Sequence, residues 1–212
     1  MIAAVGSDIY IRVQITKIKR DPKCDNTASW EEKLIFFDKV RSVGKELCME
    51  EDEYSNAKTL YSRCISLFKN MPKKQKESLN EEQRIRRDEI LNILCLNSAH
   101  CLLQKKMYQD VIKMAKEAIT YIKDNPKAYY RLSLAYKSIN DLDRAKENLL
   151  MAIKLAPNDK KMREEYKDLC STKSEKEKIW NDKMKGFYNT TKLDKIQAQD
   201  EEDDLLREKI KR

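Results

Sequence analysis

Histidine occurs once in this chain of 212 residues, glycine three times and proline four times, and each scarcity removes a class of answer. With His100 alone, neither a histidine-based metal centre nor a Ser-His-Asp triad has the residues it needs. So few glycines and prolines cannot supply the turns of a sandwich or barrel, and the expected fold class is all-α. No apolar run approaches the roughly 20 residues of a membrane span, and the first residues lack the basic start and apolar core of a secretion signal. A cytoplasmic protein with no membrane partner is expected. The six cysteines, Cys24, Cys48, Cys64, Cys95, Cys101 and Cys170, include no C-x-x-C pair, and most fall in apolar stripes. They read as reduced core residues. No metal, cofactor or catalytic residue is expected.

Charge is what the chain has in quantity. Asp, Glu, Lys and Arg make up 38% of it, and 44 Lys plus Arg against 36 Asp plus Glu leave a formal charge of +8. Such a balance favours an acidic partner. The basic residues are interleaved with acids, and no aromatic-basic platform or reading helix stands out, so nucleic acid is not the expected partner. Acidic pairs such as Glu31 and Glu32 read as surface-helix composition.

Ile9, Ile11, Val13 and Ile15 alternate with polar residues, a period-two pattern that predicts one short β-strand. From about Trp30 the apolar spacing turns helical. Sliding the segment that begins at Asn92 by 34 residues onto the one that begins at Pro126 superposes Ala99 on Ser133 and Leu102 on Tyr136. Tyr108 then meets Leu142, Val111 meets Ala145, Ala115 meets Leu149, and Ala118 meets Ala152. A third copy lies upstream, with Gly44 in the place of Ala99, followed by Tyr54, Ala57, Tyr61 and Cys64.

A period of 34 residues with small side chains where two helices cross is the signature of the tetratricopeptide repeat, and Tyr129, Leu132, Ser133, Tyr136, Ala145, Leu149, Ala152 and Pro157 resemble it most closely. The expected architecture is a right-handed superhelix of three repeats over 30–159, at about 37–71, 92–125 and 126–159. An N-terminal strand and linker (1–29) precede it, and a C-terminal capping helix (160–192) and a charged tail (193–212) follow. The excess between the first two repeats, from Pro72 to about Ile90, reads as a lengthened helix with a capping box at Ser78 and Glu81.

Lys127 and Arg131 stand four apart and project from one helix face. Asn97 is the equivalent of Arg131 one repeat earlier, and equivalent positions on successive first helices line one concave groove. A guanidinium, an ammonium and an amide suit carboxylates. These residues resemble the two-carboxylate clamp of chaperone-binding tetratricopeptide proteins, which implies a partner tail ending in Glu-Glu-Val-Asp on a heat-shock chaperone of the ninety- or seventy-kilodalton class. The family also has a Lys and an Asn, or another small polar residue, on the first helix of the first repeat. This chain has Arg41 and Lys45 there, so Arg41 keeps the charge and Lys45 adds one.

Trp30, Glu31, Glu32 and Lys33, the run from Lys39 to Gly44, the insertion after the first repeat, and the run from Lys176 to Trp180 look like the C-terminal half of the larger FKBP-type immunophilins. The resemblance implies a co-chaperone whose peptidyl-prolyl isomerase domain would end in a strand like Ile9–Ile18. A domain of that type takes roughly a hundred residues and does not fit before Trp30. The expected function is therefore protein binding without catalysis, through Arg41, Lys45, Asn97, Lys127 and Arg131. An alternative partner is calmodulin, taken by the basic amphipathic pattern of Lys183, Lys185 and Lys192 around Trp180, Met184 and Phe187.

Overall fold

A computed structural model of the chain describes residues 25–49 and 53–171. Seven helices follow in order: α1 Trp30–Leu47, α2 Tyr54–Lys69, α3 Lys73–Ser78, α4 Glu81–Gln104, α5 Tyr108–Tyr121, α6 Pro126–Ser138 and α7 Leu142–Leu155. The chain is helical again from 160 to 171. The strand expected around Ile9–Ile15 and the pattern around Trp180 lie outside the described residues.

Side-chain caps start α1, α4, α6 and α7. The Ser29 side chain accepts from the Glu32 backbone while the Glu32 carboxylate accepts from the Ser29 N–H at 2.8 Å, a reciprocal box that opens α1. The box expected at Ser78 and Glu81 is instead made two residues later by Asn80 and Gln83. Ser78 closes α3, its hydroxyl donating to the Gln75 carbonyl at 2.9 Å. The lengthened helix is therefore real from Glu81 onward, but an extended Leu79 separates it from α3. Pro126 sits in the first turn of α6, where its missing N–H leaves no bond unmade. Asp141 caps α7.

The helices stack as neighbours in sequence order, α1 on α2, α2 on α4, α4 on α5, α5 on α6 and α6 on α7. A core runs from α1 to the start of α6, built from residues such as Phe36, Val40, Tyr61, Phe68, Leu94 and Ala118. The small residues of the repeat are where helices meet. Gly44 is buried in α1, and a Cβ there would stand 2.5 Å from the Tyr61 hydroxyl and ring of α2. Ala99 and Ser133, its counterparts, are 0% and 2% exposed.

The turns inside the second and third pairs repeat as well. Lys106 and Asn140 take positive φ angles of 58° and 64°. Around the first, Met107 N–H donates to Leu102 O and Lys106 N–H to Leu103 O; around the second, Asp141 N–H donates to Tyr136 O and Asn140 N–H to Lys137 O. This is the double bond of a left-handed helix stop, made here without glycine.

A buried lysine anchors the start of the array. Lys33 is wholly covered, and its ammonium donates to the carbonyls of Ala28 and Asn26 and to the Gln75 side-chain oxygen, which ties α1 to α3. At the other end, Asp159 caps the helix that begins at residue 160. Glu165 of that helix pairs with Lys137 of α6 at 2.5 Å, and Lys161 lies over the Tyr130 ring at 6.0 Å. Residues 160–166 thus meet the last pair, while 172–192 of the segment expected to cap the array lie outside the described residues.

Candidate functional site

α1, α4 and α6 are the first helices of their pairs, and the same face of each carries Arg41 and Lys45, Asn97, and Lys127 and Arg131. All five side chains line one cleft of about 640 Å³. Four of them are cations, and among the described residues no Asp or Glu lines the cleft. Arg41, Lys45 and Lys127 are exposed, whereas Arg131 is largely covered by its neighbours. Its Nη1 is buried without a hydrogen-bond partner. Burial pulls its basicity below the usual value, yet a guanidinium remains charged at neutral pH. The site therefore holds a positive donor that the protein leaves unused, a condition an incoming anion relieves.

The floor of the cleft is built by residues that the repeat pattern did not single out. Asn92 on α4 is 1% exposed. Its amide donates to the Ala118 carbonyl near the end of α5 at 2.8 Å, and its oxygen accepts from the Asn125 amide at 2.7 Å. Asn125 in turn caps α6 by accepting from the Lys127 N–H at 3.0 Å. A capping role for Asn125 was legible from its place before Pro126. Nothing in the sequence marked Asn92.

Beside this network stand Cys48, Tyr61 and His100. Cys48 follows the last turn of α1, with its Sγ 3.5 Å from the Sγ of Cys101 on α4. The hydrogen bond between the two thiols holds Cys48 down and pushes Cys101 up, and burial pushes Cys101 and Tyr61 up further. His100 is held below its ordinary value by burial first and then by Arg131 and Lys161, so it is neutral at pH 7. Of the cysteines expected in the core, Cys64, Cys95 and Cys101 are buried, Cys48 and Cys170 are partly exposed, and Cys24 lies outside the described residues.

No group of three or more His, Cys, Asp or Glu with metal-binding geometry occurs among the described residues. No described helix is long and apolar enough to cross a membrane. The lysines and aromatics behind the calmodulin alternative fall beyond residue 171, outside the described part.

The sequence model of the tetratricopeptide repeat matches residues 126–159. The chain is 34% identical over 93 residues to the peptidyl-prolyl cis-trans isomerase FKBP42 of Arabidopsis thaliana, a match covering 44% of this chain and 24% of that protein. It is 28% identical over 108 residues to the aryl-hydrocarbon-interacting protein-like 1 of Mus musculus, covering 51% and 32%. The chain thus spans about a quarter to a third of the length of these curated relatives.

Among solved structures, the C-terminal TPR-containing domain of a putative FK506-binding protein from Plasmodium falciparum superposes with a TM-score of 0.61 at 27% identity, over 71% of this chain and 96% of that one. The Hsp90 co-chaperone Cns1 from Saccharomyces cerevisiae shares the fold, with a TM-score of 0.59 at 22% identity over 73% and 44%. The described helices form a tetratricopeptide superhelix, an all-α protein-interaction fold, and the chain's relatives include FKBP-type and aryl-hydrocarbon-interacting-type proteins.

Proposed function

We propose that the cleft binds the acidic C-terminal tail of a heat-shock chaperone, of the Glu-Glu-Val-Asp type, and that the chain acts in the cytoplasm as the tail-binding part of an FKBP-type co-chaperone. The observation that carries this reading is the buried, partnerless Nη1 of Arg131 in a cleft that four cations and, among the described residues, no acid line. Lys127 and Arg131 would take one carboxylate pair from α6. Asn97 would fix the peptide backbone through its amide, and Arg41 and Lys45 would meet the remaining carboxylates from α1. Likeness to the repeat domain of an FK506-binding protein supports the co-chaperone assignment. Isomerisation belongs to the name of the plant relative, only 24% of which is matched; tail binding is the part proposed for this chain.

A short peptide loses chain freedom on docking, so affinity should be micromolar, about 8 kcal/mol in total. The test is calorimetric titration with a peptide ending in Met-Glu-Glu-Val-Asp, beside the same peptide amidated at its C-terminus and beside a Lys127→Ala, Arg131→Ala variant whose helicity is checked. Micromolar binding that both controls lose is the expected result. Failure of the folded wild-type chain to bind, or equal binding of the amidated peptide, would remove the clamp.

A further inference from the structure

Tail binding uses the charged rim of the cleft and leaves its sulfur chemistry unexplained. Two thiols from different helices meet at the floor, Cys48 after α1 and Cys101 within α4, with their Sγ atoms 3.5 Å apart. They differ in access. Cys48 is partly exposed and lines the cleft, while Cys101 is 0% exposed and sits behind it. We propose that Cys48 and Cys101 form a hydroperoxide-sensitive modification site, in which Cys48 is oxidised from the cleft and Cys101 resolves it to a disulfide.

The surroundings fit an attacking thiolate. Cys48 is held low by the hydrogen bond from Cys101, then by one from Tyr61 and by the positive charge of Arg131, which together outweigh its burial. Thiolate character and access decide which thiols react with peroxides. The other two fully described core cysteines, Cys64 and Cys95, are buried, and Cys95 is pushed up to about 12 by burial and by Glu117.

The steps balance. The Cys48 thiolate attacks the peroxide O–O bond and keeps one oxygen as a sulfenic acid, while the other oxygen takes a proton and leaves as water or alcohol. The Cys101 sulfur then attacks the Cys48 sulfur, the S–O bond breaks, and the hydroxyl leaves as water with the Cys101 proton. Two thiols lose two electrons and the hydroperoxide gains them. A disulfide needs the sulfurs about 2.05 Å apart, so closure asks for about 1.5 Å of movement. Cys48 is the C-cap residue of α1, its N–H still bonded to the Gly44 carbonyl at 3.2 Å, so the movement falls to rotation of the two cysteine side chains.

This site stands on the geometry of the thiols and not on tail binding, and its test needs no peptide. The reduced full chain is treated with hydrogen peroxide at pH 7, quenched with an alkylating agent under denaturing conditions, and digested. The expected product is a linked Cys48–Cys101 peptide lighter by two hydrogens, formed about tenfold faster than the oxidation of Cys170. Cys101→Ser should instead accumulate a sulfenic acid on Cys48 that dimedone traps, and Cys48→Ser should give no linked peptide. Far-ultraviolet circular dichroism establishes that each variant is folded. Linkage scattered over other cysteines, or a Cys48 that reacts no faster than Cys170, would overturn the proposal.

Discussion

Asn125 reaches from the N-cap of α6 to Asn92 on α4, its Nδ2 donating to the Asn92 Oδ1 at 2.7 Å. Asn92 also holds the Ala118 carbonyl near the end of α5. One buried amide therefore registers three helices, two of which carry the candidate anion-binding groups: Asn97 lies five residues along α4 from Asn92, and Lys127 and Arg131 rise from the helix that Asn125 caps. The distance between a neutral amide on one repeat and two cations on the next is set at this contact.

Replacing Asn92 by Ala leaves the Ala118 carbonyl and the Asn125 amide without their partner in a buried setting. A loss of about 1–3 kcal/mol is expected, read as a lower midpoint in urea with an unchanged slope. The tail affinity of the folded variant should fall too, because α6 loses its tie to α4. Unchanged stability would mean that water replaces the side chain at no cost and that the amide bridge is incidental.

Gly44 offers a sharper test of the repeat geometry. A methyl group at this position would stand 2.5 Å from the Tyr61 hydroxyl and ring, so Gly44→Ala should destabilise by about 1–3 kcal/mol despite the better helix propensity of alanine. The third pair solves the same crossing with Ser133 and Leu149, both buried. The double variant Gly44→Ala, Tyr61→Leu should therefore recover much of the loss, and a double-mutant cycle on thermal unfolding measures it. Additive losses would show that the two residues do not share the contact.

The helices, the small residues at their crossings and the shared face of Asn97, Lys127 and Arg131 were legible, because a 34-residue period carries the first helices of the second and third repeats to the same face; Arg41 and Lys45 came from the family resemblance, since an insertion sets the first repeat off that period. What the sequence hid has a common physical form. The second repeat begins inside a long helix whose cap, Asn80 with Gln83, lies two residues from the pair that matched the capping pattern. Asn92 and Cys48 matter through contacts between helices, and such contacts leave no periodic trace. The positive-φ turns at Lys106 and Asn140 were equally silent, since neither residue is the glycine that usually marks such a stop.

Lys45 stands where the clamp family has an amide, and it is exposed at the rim of the cleft. Restoring the amide with Lys45→Asn should weaken binding of a Glu-Glu-Val-Asp peptide by about two- to fivefold, the scale of an exposed ion pair. It should also flatten the dependence of affinity on salt, because one fewer screened charge takes part. Titrations at low and high ionic strength check both. An unchanged affinity and salt slope would place Lys45 outside the bound peptide's reach.

His100 makes the cleft sensitive to acid. The Tyr54 ring of α2 meets it edge-on with centroids 6.2 Å apart, and Arg131 and Lys161 face it with positive charge. Burial, assisted by those cations, lowers its pKa in the folded state below the value of about 6.5 for a free side chain. The unfolded chain therefore binds the proton first. Its contribution to stability is fully present above pH 6.5 and is lost as the pH falls below that value toward the folded pKa. Between pH 7.5 and 5.5 the melting temperature of the wild-type chain should fall further than that of His100→Gln, the difference isolating this residue from the carboxylates. A carboxylate-bearing peptide in the cleft would offset the positive charge of Arg131, so the wild-type fall should shrink when the peptide is saturating. Equal falls in both proteins would mean that His100 is not held neutral by its surroundings.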